Sequence, residues 1–454
     1  MKKKTIAFVL SLCVSILLTL WVKEPQFNDS QMYVLFLLFF SIGLWVTEAI
    51  PPFSVGLLIL AFLAFSLGNP RFNSEPQNIS KYVNTFSSSV IWLMLGGFFL
   101  SSALTKTGLD SDLFGFTIRV SGATHRRVFF GLMITTMLAS TLMSNTAITA
   151  MVLAAIMPLL KNLGKESPLS KALLLGVPFS ATTGGMATII GTPANVITAG
   201  ALENAGISMD FLHWMYYGVP ITLFLTAVGC FVLSKIFIKE DQPLSTEFLQ
   251  QNAGKIITPE MKTKRKIVIG VVGITVLLWM TSSLHNLSVS AVAAIPIVFL
   301  TMTGILDGKD VRALPWDTLL LVAGGLSLGL ALQETGLLNH YAQKLVSMEI
   351  HYLIFICLLG YITMLFANVM SHTATSSVMI PLGMAILPQY KTEVALVIGL
   401  SSSTALFLPV STPANAVAYS TGLMDQKDFR VNGLLMAALG PAAVILWVLL
   451  SRGI

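Results

Sequence analysis

The sequence predicts an all-α polytopic membrane protein with about eleven transmembrane helices and two re-entrant hairpins, arranged as an inverted repeat. Three observations predict it. Of 454 residues, 55% are hydrophobic and only 11% are charged, where an ordinary soluble protein carries about 25% charged residues. Mean hydropathy is +0.80, so the apolar residues need lipid rather than water around them. Finally, three short motifs recur in the same order in the two halves of the chain. Composition thus excludes a disordered protein, a fibrous protein and a soluble enzyme. The net charge of +6 does not indicate nucleic-acid binding, because the basic residues sit in short loops between apolar runs.

The apolar runs fall at 5–22, 32–50, 53–68, 90–104, 171–200, 215–238, 266–283, 289–306, 317–333, 394–421 and 433–451. The first follows Lys2, Lys3 and Lys4 and resembles a signal peptide. It is long enough to span, and no small-residue cleavage site follows it, so it reads as a transmembrane helix. Residues 1–30 are then this helix and an external loop.

Two further runs, 128–160 and 352–388, have a polar cluster at the middle: Ser144-Asn145-Thr146 and Ser371-His372-Thr373. If the chain reverses there, each arm has about 15 to 18 residues, short of the ~20 needed to span. A re-entrant hairpin fits, with its tip near the midplane, where irregular backbone is tolerated only inside protein or beside a cavity. With the N-terminus inside, 21 of the 27 lysines and arginines lie on the cytoplasmic side. The positive-inside rule therefore places the N-terminus in the cytoplasm and the C-terminus outside.

The segment 239–265 is the one long polar stretch and reads as a cytoplasmic linker between repeats at 31–238 and 266–454. Leu95-Gly96-Gly97 recurs as Ala323-Gly324-Gly325 at an offset of 228. The polar clusters recur at 227, and Thr192-Pro193-Ala194-Asn195 recurs as Thr412-Pro413-Ala414-Asn415 at 220. Each half has five spans plus a hairpin, and five is odd, so the second half inserts upside down. Inverted repeats with broken helices are the signature of a secondary transporter, with the substrate where the breaks meet.

Each break has a mechanism. Pro193 and Pro413 remove an amide donor and clash with the preceding turn, and Gly191 loosens the backbone just before Pro193. Helix N-termini at the midplane suit carboxylate or sulfate oxygens, and freed carbonyls suit a small cation such as sodium. No Lys or Arg is expected at that depth. A dianion there needs helix ends and bound cations, which argues for cation coupling rather than an arginine-lined channel.

Other patterns carry less. Gly325-Leu326-Ser327-Leu328-Gly329 matches a nucleophile motif but lies in an apolar helix, without the strand-to-helix elbow that chemistry needs. Cys13, Cys230 and Cys357 fit no metal or redox spacing. Glu48 sits at a span end and reads as structural.

The chain resembles the divalent anion:sodium symporter family, which includes the INDY proteins and the sodium-coupled dicarboxylate, citrate and sulfate carriers. The resemblance covers nearly the whole chain. It rests on Thr47-Glu48-Ala49-Ile50-Pro51, Gly96-Gly97, Ser144-Asn145-Thr146, Gly191-Thr192-Pro193-Ala194-Asn195 and their second-half twins. It implies a homodimer in the cell (inner) membrane, with a scaffold domain and a transport domain that moves as an elevator. It implies that Ser140, Ser144, Asn145 and Gly191 form one sodium site and that Ser371, His372 and Ser411 lie at a second. It implies substrate contacts from Asn145, Thr146, Thr192, His372, Thr373, Thr412 and Pro413. The function it implies is sodium-coupled import of a C4 dicarboxylate such as succinate, malate or fumarate. A sodium-independent dicarboxylate exchanger and a sodium-coupled sulfate or citrate carrier are the alternatives. One departure stands out: His372 replaces the asparagine usual at the second tip. Histidine can donate to a carboxylate and can carry a proton, so fewer coupled sodium ions or a partial proton dependence is expected.

Overall fold

The structure is a computed structural model that describes residues 2–73, 76–121, 124–244, 258–285, 287–337, 340–341 and 351–452. Among these, secondary structure is helical apart from one isolated antiparallel bridge between Thr124 and Pro243. Eight helices are long and apolar enough to cross a membrane, and Pro52–Leu67 and Val289–Met302 are shorter apolar helices. The chain is therefore a multi-pass helical membrane protein.

The first half opens with α1 (Lys2–Val22), α2 (Asp29–Thr47), α3 (Pro52–Leu67) and α4 (Ser89–Thr107). Glu48 closes α2 in the left-handed conformation. Next comes α5 (Leu109–Ser121), a helix outside the expected apolar runs. Leu113, Phe116 and Val120 line one exposed face of it, the pattern of a helix lying in the membrane interface. The first hairpin is α6 (His125–Ala139) and α7 (Asn145–Leu163), joined by a turn at Ser140–Ser144. The broken run is α8 (Pro168–Gly185) and α9 (Pro193–Asn204), and α10 (Phe211–Phe237) ends the half.

The second half repeats the plan. It has α11 (Pro259–Met280), α12 (Val289–Met302) and α13 (Trp316–Glu334). Its hairpin is α14 (Tyr352–Val369) and α15 (His372–Ile386), and its broken run is α16 (Lys391–Ser402) and α17 (Pro413–Ser420). The last helix is α18 (Arg430–Leu450). Of the expected linker, 245–257 lies outside the described residues. Its ends are not loose: α11 begins at Pro259, and Arg126 N donates to Asp241 Oδ1 at 2.9 Å.

Packing sorts the helices into two groups. In one, α1 lies on α2, α3 on α13, and α4 on α12. In the other, α6 and α7 pack on α8, and α14 and α15 pack on α16. The half-helices cross over: α9 packs on α15 and α16, while α17 packs on α7 and α8. Each repeat's second half-helix is thus seated in the other repeat's hairpin.

The paired glycines mark the seam between the groups. A Cβ on Gly324 would lie 2.3 Å from Gly56 Cα, within the first group, and one on Gly325 would lie 2.4 Å from Ser377 Oγ, in the second. Only a residue without a side chain lets both neighbours approach so closely. Away from the bilayer, ion pairs tie loops together. Lys165 Nζ lies 2.6 Å from Asp425 Oδ1, and this hydrogen bond holds the Asp425 carboxyl below its usual range.

Candidate functional site

The first tip forms because Ser144 caps α7: its hydroxyl accepts from Ala147 N at 3.5 Å, so the helix starts at Asn145. Ser140 Oγ donates to Asn145 Oδ1 at 2.7 Å, which orients the amide. The break opposite begins where α8 stops at Gly185 and ends where Thr192 takes an extended conformation before Pro193.

These pieces meet over Gly185. A Cβ built there would lie 2.5 Å from Asn145 Oδ1, 2.8 Å from Thr192 Cγ2 and 3.0 Å from the Gly191 carbonyl oxygen. An amide oxygen and a freed carbonyl therefore face one small space that any side chain would fill. Oxygen donors of this kind are what a small hard cation takes, so Ser140, Asn145 and Gly191 fit sodium. Ser144 is exposed and serves as the cap. Thr146, in the first turn of α7, and Thr192, 4% exposed at the start of α9, put two helix N-termini beside the same space. Their first-turn N–H groups have no partner inside the helix, which suits a carboxylate.

The second tip is built alike. Ser371 accepts from Ala374 N at 3.1 Å and caps α15. His372 Nε2 lies 3.2 Å from the Ala405 carbonyl oxygen, a contact that requires the proton on Nε2. The imidazole thus covers a carbonyl freed by the second break. Thr373 is buried and its carbonyl accepts from Ser377 Oγ at 2.9 Å. Thr412 caps α17 by accepting from Asn415 N at 3.0 Å, with Pro413 at the first helical position. Ser411 Oγ donates to Asn368 Oδ1 at 3.0 Å and accepts from Leu408 N at 3.0 Å. Ser371, His372 and Ser411 therefore have separate partners, and no hydrogen bond joins the three.

Three asparagines do work the sequence reading did not assign. Asn195, fully buried, donates to Gly185 O at 2.9 Å and to Thr188 O at 2.7 Å. Its twin Asn415 donates to Leu408 O at 3.0 Å. Both amides satisfy carbonyls that the breaks release, so they hold the breaks open rather than face a ligand. Asn368 was missed altogether: its Oδ1 accepts from Phe407 N at 2.8 Å and ties α14 to the second break. Its only sequence signal is a lone amide in an apolar run, three residues before Ser371. Replacing Asn195 by leucine is expected to destabilise the protein by about 3 kcal/mol, since two buried carbonyls lose their donor. The denaturation midpoint in detergent checks this, with a surface asparagine as control.

Among the described residues, no hydrogen bond between a tip and a break involves Lys or Arg. Among the described residues, no group of three His, Cys, Asp or Glu could hold a metal ion. Ser327 is buried mid-helix and donates to Tyr82 O at 2.8 Å, so the nucleophile motif is a helix-packing contact.

Residues 42–397 match the family described as citrate transporter. The chain belongs to that family. It is a transporter of the divalent anion:sodium symporter group and not an enzyme, as the resemblance of its motifs implied. The sodium-dependent dicarboxylate transporter SdcS of Staphylococcus saprophyticus is 27% identical over 467 residues, covering 95% of this chain and 88% of that one. An uncharacterized transporter of Haemophilus influenzae is 29% identical over 458 residues, covering 96% and 94%. In fold, the family member resembles the crystal structure of the Alcanivorax borkumensis YdaH transporter, with a TM-score of 0.58 at 13% identity. That match covers 89% of this chain and 99% of the other.

Proposed function

We propose that this transporter imports a C4 dicarboxylate such as succinate, malate or fumarate, coupled to sodium. The observation that carries the reading is the space over Gly185, where Asn145 Oδ1 and the Gly191 carbonyl meet beside two helix N-termini. Oxygens there suit sodium, and the N-termini suit a carboxylate that the sodium charge helps to neutralise. Relatives named as sodium-dependent dicarboxylate transporters support both halves of the reading.

In this reading, Asn145, Thr146, Thr192, His372, Thr373, Thr412 and Pro413 contact the dianion. Ser140, Ser144, Asn145 and Gly191 serve the first sodium, and Ser371, His372 and Ser411 lie at a second position. The group holding the hairpins and breaks is the transport domain, and it moves as an elevator against the scaffold of α1–α4 and α11–α13. The protein works as a homodimer in the cell (inner) membrane, N-terminus cytoplasmic and C-terminus external.

Labelled succinate uptake into proteoliposomes, with and without an inward sodium gradient, tests this. Sodium-driven uptake blocked by other C4 dicarboxylates supports it. Sulfate or citrate transport without succinate transport overturns the substrate.

One contact favours a second reading, with fewer coupled ions or sodium-independent exchange. The His372 ring N–H already occupies the Ala405 carbonyl, one of those freed by the second break, and so takes it from any cation. Replacing His372 by asparagine is then expected to raise the number of sodium ions per dianion and flatten the pH profile of uptake. Unchanged stoichiometry and pH profile would sink the idea.

A further inference from the structure

A cavity of about 260 Å³ lies on the seam between the two groups, between α9, α13 and α15. It follows α15 from Ser377 to Pro388, just past that helix, and reaches Lys391 at the start of α16. The helical part of that wall, up to Ile386, is about 14 Å long at 1.5 Å per residue. Its floor sits one turn from the second tip, because Ser377 Oγ donates to the Thr373 carbonyl. Gly325 closes the floor by packing against Ser377.

The two ends differ from the middle. Asn204, Gln333 and Lys391 stand at one end and Ser377 at the other, with Leu326 and Met384 among the residues between. No carboxylate lines the cavity. The nearest carboxylate in sequence, Glu393, is held by Arg452 at 2.9 Å, and no ion pair occupies Lys391 among the described residues. Of the neighbouring cavities, one is lined by Glu203 and Asp210, and the other, which shares Asn204 with this one, is lined by both Glu203 and Lys81, whose ammonium is paired with Glu334.

We propose that this cavity is an outer receiving site for small carboxylate dianions, with Lys391, Asn204 and Gln333 as its mouth. The inference rests on the proposed function for the substrate and on the proposed orientation, which puts Lys391 outside. An ammonium and two amides at the mouth take one carboxylate. The apolar wall takes the short carbon chain. The far end delivers the anion within a helical turn of Thr373. Lys391, without an ion-pair partner among the described residues, stands over an apolar wall, and such a cation concentrates anions there and raises their rate of arrival.

The test separates the cavity from the substrate. Gln333→Cys is made in the full chain carrying Cys13→Ser, Cys230→Ala and Cys357→Ser. It is labelled in right-side-out vesicles with anionic and cationic membrane-impermeant methanethiosulfonates of similar size. The anionic reagent is expected to react faster, and adding Lys391→Glu is expected to shift the ratio of the two rates about 5-fold or more. Lys391→Arg should keep it. A ratio that ignores Lys391→Glu, or labelling only from the cytoplasmic side, overturns the proposal. In parallel, Lys391→Glu is expected to raise the half-saturating concentration of external succinate about 5-fold, leaving the maximal rate unchanged. An unchanged half-saturating concentration also overturns it. If the labelling ratio responds while the unmutated protein moves no dicarboxylate, the anion-receiving mouth stands and the substrate reading falls.

Discussion

Alanine in place of Asn145 should cut sodium-driven dicarboxylate uptake about 100-fold. The proposed role asks two things of this side chain. Its oxygen helps hold the cation, and its amide hydrogens donate to the substrate carboxylate. Hydrogen bonds to charged groups contribute about 1.5–3 kcal/mol each, and 1.4 kcal/mol is a factor of ten. Ser140 Oγ also loses its acceptor at 2.7 Å, so the tip loses order as well as a ligand. The chain should still insert, because Ser144 and not Asn145 caps α7. Uptake in proteoliposomes, normalised to reconstituted protein, measures the effect. Sodium-dependent fluorescence of the purified protein shows whether cation binding is lost in parallel. Uptake within a few-fold of the unmutated protein would remove Asn145 from the site.

Alanine at Gly191 should abolish transport by a different route. Its Cβ would lie 2.3 Å from the Gly185 carbonyl oxygen, and backbone cannot swing aside as a flexible side chain would. Relief requires the break to open. That displaces the Gly191 carbonyl from the shared space and strains the two hydrogen bonds by which Asn195 holds the break. A cost of about 3 kcal/mol or more is expected, in the range of severe substitutions. A lowered melting midpoint together with loss of uptake is the signature. Full stability with full uptake would mean that the two strands of the break do not touch as described.

Much of this was legible in the sequence because its causes are local. Pro193 and Pro413 announced both breaks because each follows a Thr and recurs in the same Thr-Pro-Ala-Asn motif, whereas Pro158, Pro178, Pro220, Pro296, Pro381 and Pro441 lie inside continuous helices. A Ser-Asn-Thr or Ser-His-Thr cluster amid apolar residues announced both tips. What escaped depended on contacts far along the chain. Asn368 looks like a stray amide until Phe407 and Ser411, about forty residues away, are folded onto it. Asn195 and Asn415 carry no assigned role in the sequence, and only the three-dimensional path shows their amides turned to the backbone. The helix Leu109–Ser121 lies outside the expected apolar runs, and Asp110 and Asp112 stand in its first turn. Acidic residues in a first turn in fact favour a helix there. The interfacial side of its pattern emerges only when Phe116 and Val120 stand clear of the rest of the protein.

The crossing of α9 and α17 has a consequence for biosynthesis. Helices leave the ribosome in order, and domains tend to fold as they emerge. When the first repeat is complete, α9 has been made but the two helices that seat it, α15 and α16, have not. Its buried residues that face the second repeat, Thr198 against Gly399 among them, therefore lack their final surroundings until most of the chain is synthesised. A chain interrupted between the repeats would present an unpartnered half-helix to lipid, a target for membrane quality control.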